Sequence, residues 1–346
     1  MTAQTDIDAY LIGLRYSHHA GRSGYESFHR YLRAPFLRPP FRSRQLERGW
    51  RLDHALQQRL DRPCYTVPLL AQELAALPHL ARHRDAPHHM IYADTDLRFL
   101  GRFGGSLGTP VVATFHEPPW ALDYMRIDRR VVRDLAGVIL VSESQREWFT
   151  DLMPADRIFV IPHGADTSFF TPAPSIPPEP RIIIVGSKYR DFDVLSEAVD
   201  MVRAERPDAQ FVAGGAQRTR DWSEGDIRFV ESSPPDDFSL RAEYRRSRAA
   251  VFPMMFATAN NALLEAMACG LPIVATDVGG IREYVDDAAV LCEPGDPGAL
   301  ARAMLDVITD DDLATRLGAA ARERVLRFDF AEVALQHRAA YRAARS

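Results

Sequence analysis

Short apolar runs, many of them β-branched and bounded by glycine or proline, alternate along this chain with longer segments whose apolar positions recur at helical spacing. Runs of the first kind are DAYLIGL from Asp8 to Leu14, Pro110 to Phe115, Val138 to Val141, RIIIV from Arg181, AQFVAG from Ala209, and Leu271 to Ala275. Continuous apolar segments of that length fit strands buried on both faces. HHMIYADTDLRFL, from His88, reads as a strand leading into a loop and helix, and FGGSLGT as a linker before the next strand. After Gly186 a polar loop leads into a helix with Val194, Leu195, Ala198 and Val199 on one side. The strand–turn–helix alternation occurs on both sides of PAPSIPPEP, Pro172 to Pro180, which is too rich in proline for a helix or central strand. It predicts two doubly wound α/β units joined by a linker at 172–180.

The stretch from Met255 to Glu283 carries the most chemistry. Asn260 and Asn261 precede an Ala/Leu/Met-rich run that stops at Gly270 and Pro272, a capped helix with a sharp end. Gly279 and Gly280 then form a tight loop before Ile281-Arg282-Glu283 starts another helix. The first N–H groups of a helix lack intrahelical partners and the dipole is positive there, which suits an anion. Glu265 lies about one turn beyond Asn261 on the same face, too deep for phosphates but placed to accept hydrogen bonds from a vicinal diol such as a ribose. That combination predicts a nucleotide-diphosphate site.

At 346 residues the chain is long for a single core, in keeping with two domains. Apolar content of 46% and charged content of 26% are those of an ordinary globular protein, and a net charge of −5 gives no general case for nucleic acid. Three cysteines, Cys64, Cys269 and Cys292, show neither metal-ligand nor disulfide spacing, which fits a reducing cytoplasm. The beginning, MTAQTDIDAYLIGLRYS, lacks the basic start and the length of a signal peptide, and no run reaches transmembrane length. The single lysine, Lys188, falls in the polar loop after Gly186. In YSHHAGRSGYE, Gly21 and Gly24 let the backbone turn at the end of the first strand, ahead of a helix from Ser27. His116, followed by Glu117 and two prolines, sits at a strand's carboxyl end, where a substrate lies in such sheets. Residues 28–51 carry arginines at 30, 33, 38, 42, 44, 48 and 51 among Phe28, Tyr31, Phe36, Phe41 and Trp50. This segment is either a basic aromatic surface for an anionic acceptor or membrane headgroups, or a solvated helix and loop.

The run NALLEAMACGLPIVATDVGGIRE resembles the donor-site signature of retaining GT-B glycosyltransferases, in particular family four, the glycosyl transferases group 1. The resemblance implies that Glu265 holds the ribose of a sugar nucleotide and that the helix start at Asn260, Asn261, Ala262 and Leu263 holds the diphosphate. The signature's second glutamate, eight residues earlier, is Ala257 here, so the family's contact to the sugar hydroxyls is not carried over. The family's cationic pair in the loop after Gly186 maps to Ser187 and Arg190, with Lys188 standing in for the missing arginine. The Gly21–Gly24 loop is implied to face the diphosphate and acceptor, with His18, His19 and Arg22 on the acceptor side. His116 is implied to lie over the transferred sugar, and Ser232 and Ser233 to meet the base edge. Pro162, Gly164 and Asp166 match the family's turn out of the first domain and read as architectural. The resemblance is strong over residues 110–300 and loose before them. It implies an acceptor-side Rossmann-like domain at 1–171, a nucleotide-sugar domain at 181–327, and a last helix, about 328–346, packing back on the first.

The expected activity is transfer of a hexose-type sugar from a UDP- or GDP-linked donor to an acceptor hydroxyl, with retention. The acceptor is a glycan, a lipid-linked molecule or a small molecule. No cofactor is expected, and without a carboxylate cluster at metal spacing the reaction is expected to be metal-independent. Arg190, Lys188 and the helix start would meet the charge of the leaving diphosphate. With no displacement nucleophile in sight, front-face departure is favoured over a covalent intermediate. A sugar-nucleotide epimerase, hydrolase or phosphorylase on the same fold is the alternative enzyme, and Ala257 favours a third reading, a degenerate nucleotide-sugar-binding subunit. The expected location is the cytoplasm, with peripheral contact at the inner membrane face through 28–51.

Overall fold

The computed structural model describes residues 7–13, 22, 24–37, 50–175, 179–214, 228–229 and 236–345. The chain divides into two compact units, one made of residues 1–15, 28–162 and 333–346, the other of residues 16–27 and 163–332.

Among the described residues, the first unit holds a parallel sheet of β1 (Tyr10–Ile12), β2 (His88–Met90), β3 (Val111–Phe115), β4 (Gly137–Leu140) and β5 (Ile158–Val160), in that spatial order. Every residue of β1 to β4 is buried, as parallel strands covered by helices on both faces require. The N-terminal end of the Glu143–Gln145 turn, just beyond β4, is closed by a capping box between Ser142 and Gln145.

The structure corrects one local expectation of secondary structure in this unit. FGGSL is helical, within Leu100–Leu107, not a linker. Three glycines lower intrinsic helicity, but tertiary packing requires two of them. A Cβ on Gly101 would lie 2.6 Å from the Val131 carbonyl oxygen, and one on Gly104 would run into the Val111 side chain. The segment expected to be helical from Ser27 is a 3-10 helix, Tyr25–Tyr31. Phe28, counted above with the surface aromatics, is fully buried and stacks on His337 at 3.9 Å. Phe36 forms a parallel bridge to Leu11 beside β1. Residues 38–49 of the arginine-studded segment lie outside the described residues.

The second unit holds β6 (Arg181–Val185), β7 (Gln210–Gly214), β8 (Arg228–Phe229), β9 (Ala249–Phe252), β10 (Ile273–Thr276) and β11 (Ala289–Cys292). The order is β11-β10-β9-β6-β7-β8, all parallel. From β6 the chain runs outward one way through β7 and β8, then returns to the other side of β6 and runs out through β9, β10 and β11. The order therefore reverses between β6 and β9. In an open parallel sheet this switch point, at the carboxyl ends of the two strands, leaves a crevice for a ligand. The helix Asn261–Ala268 follows β9, and its residues from Leu263 to Ala268 are all buried. No helix among the described residues is long and apolar enough to cross a membrane.

Candidate functional site

The loops after β6 and β9 meet at the switch point. Met255 N–H donates to the Tyr189 carbonyl (2.8 Å), Asp191 N–H to the Pro253 carbonyl (2.7 Å), and Arg190 and Met254 form an antiparallel bridge. The β6 loop turns at Gly186, whose φ of +85° favours glycine, and Tyr189 takes φ +56°, a costly conformation for a residue with a bulky side chain. Strain of this kind persists where surrounding contacts enforce it, and it clusters at functional sites.

That backbone turns Arg190 inward. Its guanidinium is buried, donates to the Val185 carbonyl (2.6 Å) and the Lys188 carbonyl (3.3 Å), and reaches the Met254 sulfur. A Cβ at Gly186 would sit 3.1 Å from Arg190 Nη2, so glycine also makes room for the cation. No carboxylate among the described residues pairs with it, its Nε has no hydrogen-bond partner, and burial pushes its pKa down to about 10. It remains charged at neutral pH. Lys188 is exposed, with Nζ 5.1 Å from the Tyr189 ring centre, and Ser187 is half-buried beside it.

The helix start after β9 is built as its composition suggests. Asn260 is the N-cap, its Oδ1 accepting from Leu263 N–H at 3.1 Å. The cap takes up the Leu263 amide, leaving the main-chain N–H groups of Asn261 and Ala262 as those with no described acceptor. The Asn261 side chain lies against His163, Oδ1 to Nδ1 at 2.7 Å. Glu265 is buried one turn further along, and the Tyr244 hydroxyl, 3.2 Å from both Glu265 Oε2 and the Ala262 carbonyl, holds that carboxylate in place. Ala257 is buried, and its carbonyl accepts from Gly280 N–H at 2.7 Å. Gly279, at φ +53°, has no room for a side chain against that carbonyl, so the Gly-Gly loop closes directly on the position where the signature carries its first glutamate.

Part of the first glycine loop belongs to this second unit. Gly24 has φ +122°, Arg22 N–H donates to Asp237 (2.9 Å), and Arg22 Nη1 pairs with Asp166 (2.9 Å). Arg22, read above as acceptor-side, is thus tied to two carboxylates. Asp166 also accepts from Phe169 N–H (2.9 Å) and the Ser168 hydroxyl (2.7 Å), and Gly164 packs so tightly on Phe330 that a Cβ would fall 2.6 Å from its ring. Gly21, His18, His19, Ser232 and Ser233 lie outside the described residues.

In the first unit, His116 follows β3. Both carboxylate oxygens of Asp94 accept from its main-chain N–H (3.0 and 2.9 Å), and one also accepts from Glu117 N–H (3.0 Å). His116 Nε2 lies 2.8 Å from the Ile91 carbonyl, and its ring is 5.1 Å from that of Tyr92. Asp94 is buried, and desolvation together with the nearby Glu117 charge raises its pKa to about 7. The sequence reading missed Asp94, although the argument used for His116 also selects it, since IYADTD runs off the carboxyl end of β2. Tyr244 and His163 have no comparable local signal, because their partners lie 21 and 98 residues away.

Two doubly wound parallel sheets, one with a cation and a helix start at its switch point, define the GT-B architecture. Residues 3–169 match the family Glycosyltransferase Family 4 and residues 179–310 match Glycosyl transferases group 1. The chain is 30% identical over 284 residues to an alpha-maltose-1-phosphate synthase of Mycolicibacterium smegmatis, an overlap covering 68% of this chain and 73% of that protein. It is 28% identical over 247 residues to a phosphatidyl-myo-inositol mannosyltransferase of the same organism, over 66% of this chain. The match spans 63% of that mannosyltransferase and 65% of its Mycobacterium leprae counterpart. The fold is shared with Staphylococcus aureus TarM (TM-score 0.62, 14% identity, 78% of this chain and 59% of that one). It is shared also with a sucrose-phosphate synthase of Thermosynechococcus elongatus (TM-score 0.62, 22% identity, 79% and 77%). The chain belongs to glycosyltransferase family four.

Proposed function

We propose that this protein transfers a hexose-type sugar from a nucleoside diphosphate sugar to an acceptor hydroxyl, with retention, without a metal and without a cofactor beyond the donor itself. The observation that carries the reading is the buried Arg190 guanidinium, with no carboxylate partner among the described residues, at the switch point of a sheet whose neighbouring helix start offers two main-chain amides. A buried cation is costly unless something pairs with it, and a diphosphate held at the neighbouring helix start would bring the opposite charge. Relatives point the same way. The TarM structure contains UDP, and structures of HepE from Anabaena contain UDP and glucose or UDP-glucose. Retention rests on the resemblance of the Asn261–Glu283 run to the family signature, and a time course of the product anomer by NMR tests it.

A thermal-shift series with UDP, GDP, ADP, dTDP and their sugars identifies the donor, since binding to the folded chain raises its apparent stability. No shift with any of them overturns the reading. Replacing Glu265 by leucine, which keeps volume and removes the ribose acceptor, is expected to weaken donor binding about 10- to 100-fold, the range for a hydrogen bond to a charged group. The Ala262 carbonyl stays available to Tyr244 in that variant. Isothermal titration with the preferred nucleoside diphosphate sugar checks this. Turnover is expected to be the same in EDTA as in Mg²⁺ or Mn²⁺; loss in EDTA and recovery on adding metal would remove the metal-independent part. The rival reading, a binding subunit without turnover, draws on Ala257 and is supported by tight nucleotide binding with no transfer to any acceptor in a broad panel.

A further inference from the structure

His163 stands in the turn Pro162-His163-Gly164, between β5 and β6, yet its ring reaches the start of the Asn261–Ala268 helix. Three contacts locate it. Its main-chain N–H donates to the Tyr284 hydroxyl at 2.9 Å, the Tyr25 ring lies 4.9 Å away at 35°, and Nδ1 lies 2.7 Å from Asn261 Oδ1. Tyr284 is itself buried, so the backbone of the turn is held by a fixed partner.

The two asparagines at the helix start have different tasks. Asn260 is used up by the fold, since its Oδ1 caps Leu263 and its Nδ2 faces the Met254 sulfur at 3.7 Å. Asn261 is the first helical residue, beside the two amides with no described acceptor. A carboxamide has an acceptor end and a donor end of nearly equal size, and its neighbours alone decide which way round it sits. A phosphate at this helix start would be attracted by the –NH₂ end and repelled by the oxygen.

We propose that His163 is a positioning residue for the donor. Its Nδ1–H donates to the Asn261 oxygen at 2.7 Å, and so fixes that carboxamide with –NH₂ turned away from His163 and toward a phosphate of the nucleoside diphosphate sugar, alongside the main-chain amides of Asn261 and Ala262. The proposal rests on the donor-site reading given above. It adds that orientation of one side chain is set in advance, before the donor arrives, by a residue from a distant turn. Preorganisation of this kind raises affinity by removing the ordering cost from the binding step.

A double-mutant cycle in the full chain tests it, using His163→Phe, Asn261→Ala, both together, and His163→Gln, whose amide nitrogen can donate as Nδ1 does. The probe is the nucleoside diphosphate that gives the largest thermal shift, its Kd measured by isothermal titration, with KM and kcat for the matching sugar nucleotide. His163→Phe is expected to raise Kd and donor KM about 5- to 10-fold with a smaller change in kcat, the scale of one hydrogen bond. The double variant is expected to match Asn261→Ala within about twofold, because coupled residues are not additive, and His163→Gln to recover most of the loss. Melting temperatures without ligand show whether each variant is folded. The inference is overturned if His163→Phe binds as the parent does, or if its effect adds in full to that of Asn261→Ala. Should Asn261→Ala bind like the parent, the donor-site reading of the helix start falls too; a failure confined to His163→Phe leaves that reading standing.

Discussion

Arg190→Gln is expected to lower sugar transfer about 10²- to 10³-fold, the loss seen when one preorganised donor aimed at developing charge is removed. The effect should fall mainly on kcat, because the diphosphate gains negative charge as the glycosidic bond breaks and a cation fixed beside it is worth more in the transition state than in the ground state. Burial makes this cation strong: the guanidinium itself is out of water, and no carboxylate among the described residues neutralises it. The same burial gives the prediction a second readout. Moving the Arg190 pKa down to about 10 marks a cost of burying its charge of roughly 3 kcal/mol, at about 1.36 kcal/mol per unit. Glutamine avoids that cost and loses the hydrogen bonds to the Val185 and Lys188 carbonyls. The variant should therefore melt within a few degrees of the parent while being nearly inactive, the pattern of a group kept for function at the expense of stability. Arg190→Lys should be intermediate, since a point charge on a flexible stem cannot span both carbonyls. Steady-state kinetics with melting curves check it, and an Arg190→Gln variant within threefold of the parent would remove Arg190 from the chemistry.

What could be read from the sequence was what is local along it. The cap at Asn260 spans three residues and the helix stop at Gly270 and Pro272 is a matter of backbone preference, so both follow from residue type and spacing. The strands were legible for a similar reason, because burial on both faces leaves unbroken apolar runs. Arg190 was placed by the position of the next helix, but not its surroundings. The contacts that turn it inward join the β6 loop to Met254 and Met255, more than sixty residues on, through backbone groups that any sequence would offer. FGGSL was misread because glycine's cost in a helix is visible locally, whereas the close approach of Val131 and Val111 is not. Asp94 was missed for a different reason: a carboxylate serving main-chain amides resembles any other acidic residue in a turn until the loop it holds is seen.

Several histidines taken above as nothing more than part of strands and helices give the second large effect, an acid-sensitive first unit. His88, His89 and His337 are fully buried. His89 lies 2.7 Å from the Tyr341 hydroxyl and 2.6 Å from that of Thr114, and His337 Nδ1 is 2.9 Å from the Val333 carbonyl. Burial, reinforced by neighbouring imidazoles, lowers the pKa of His88 to about 4 and that of His89 well below its ordinary value; burial lowers His337 to about 4. A histidine depressed by folding is neutral in the native state while the unfolded chain takes up a proton below about 6.5. Its stabilising contribution is therefore complete above pH 6.5 and is lost as pH falls toward 4, at about 1.4 kcal/mol per pH unit for each such residue. Asp94 acts in the opposite sense: its pKa, raised from 3.8 to about 7, leaves the native state holding the extra proton in that window. The net slope is a difference, so the clean measurement compares the parent with His337→Phe, whose ring can keep the stack on Phe28 without titrating. Between pH 6.5 and 5.0 the variant is expected to gain about 1.6 kcal/mol on the parent in urea unfolding, as the unfolded imidazole goes from half to almost fully protonated. Three of the four tryptophans, Trp50, Trp120 and Trp148, lie in the first unit, which makes fluorescence a suitable probe of its unfolding. Parallel stability curves for the two proteins over that range would show that His337 binds its proton as readily in the folded chain as in the unfolded one.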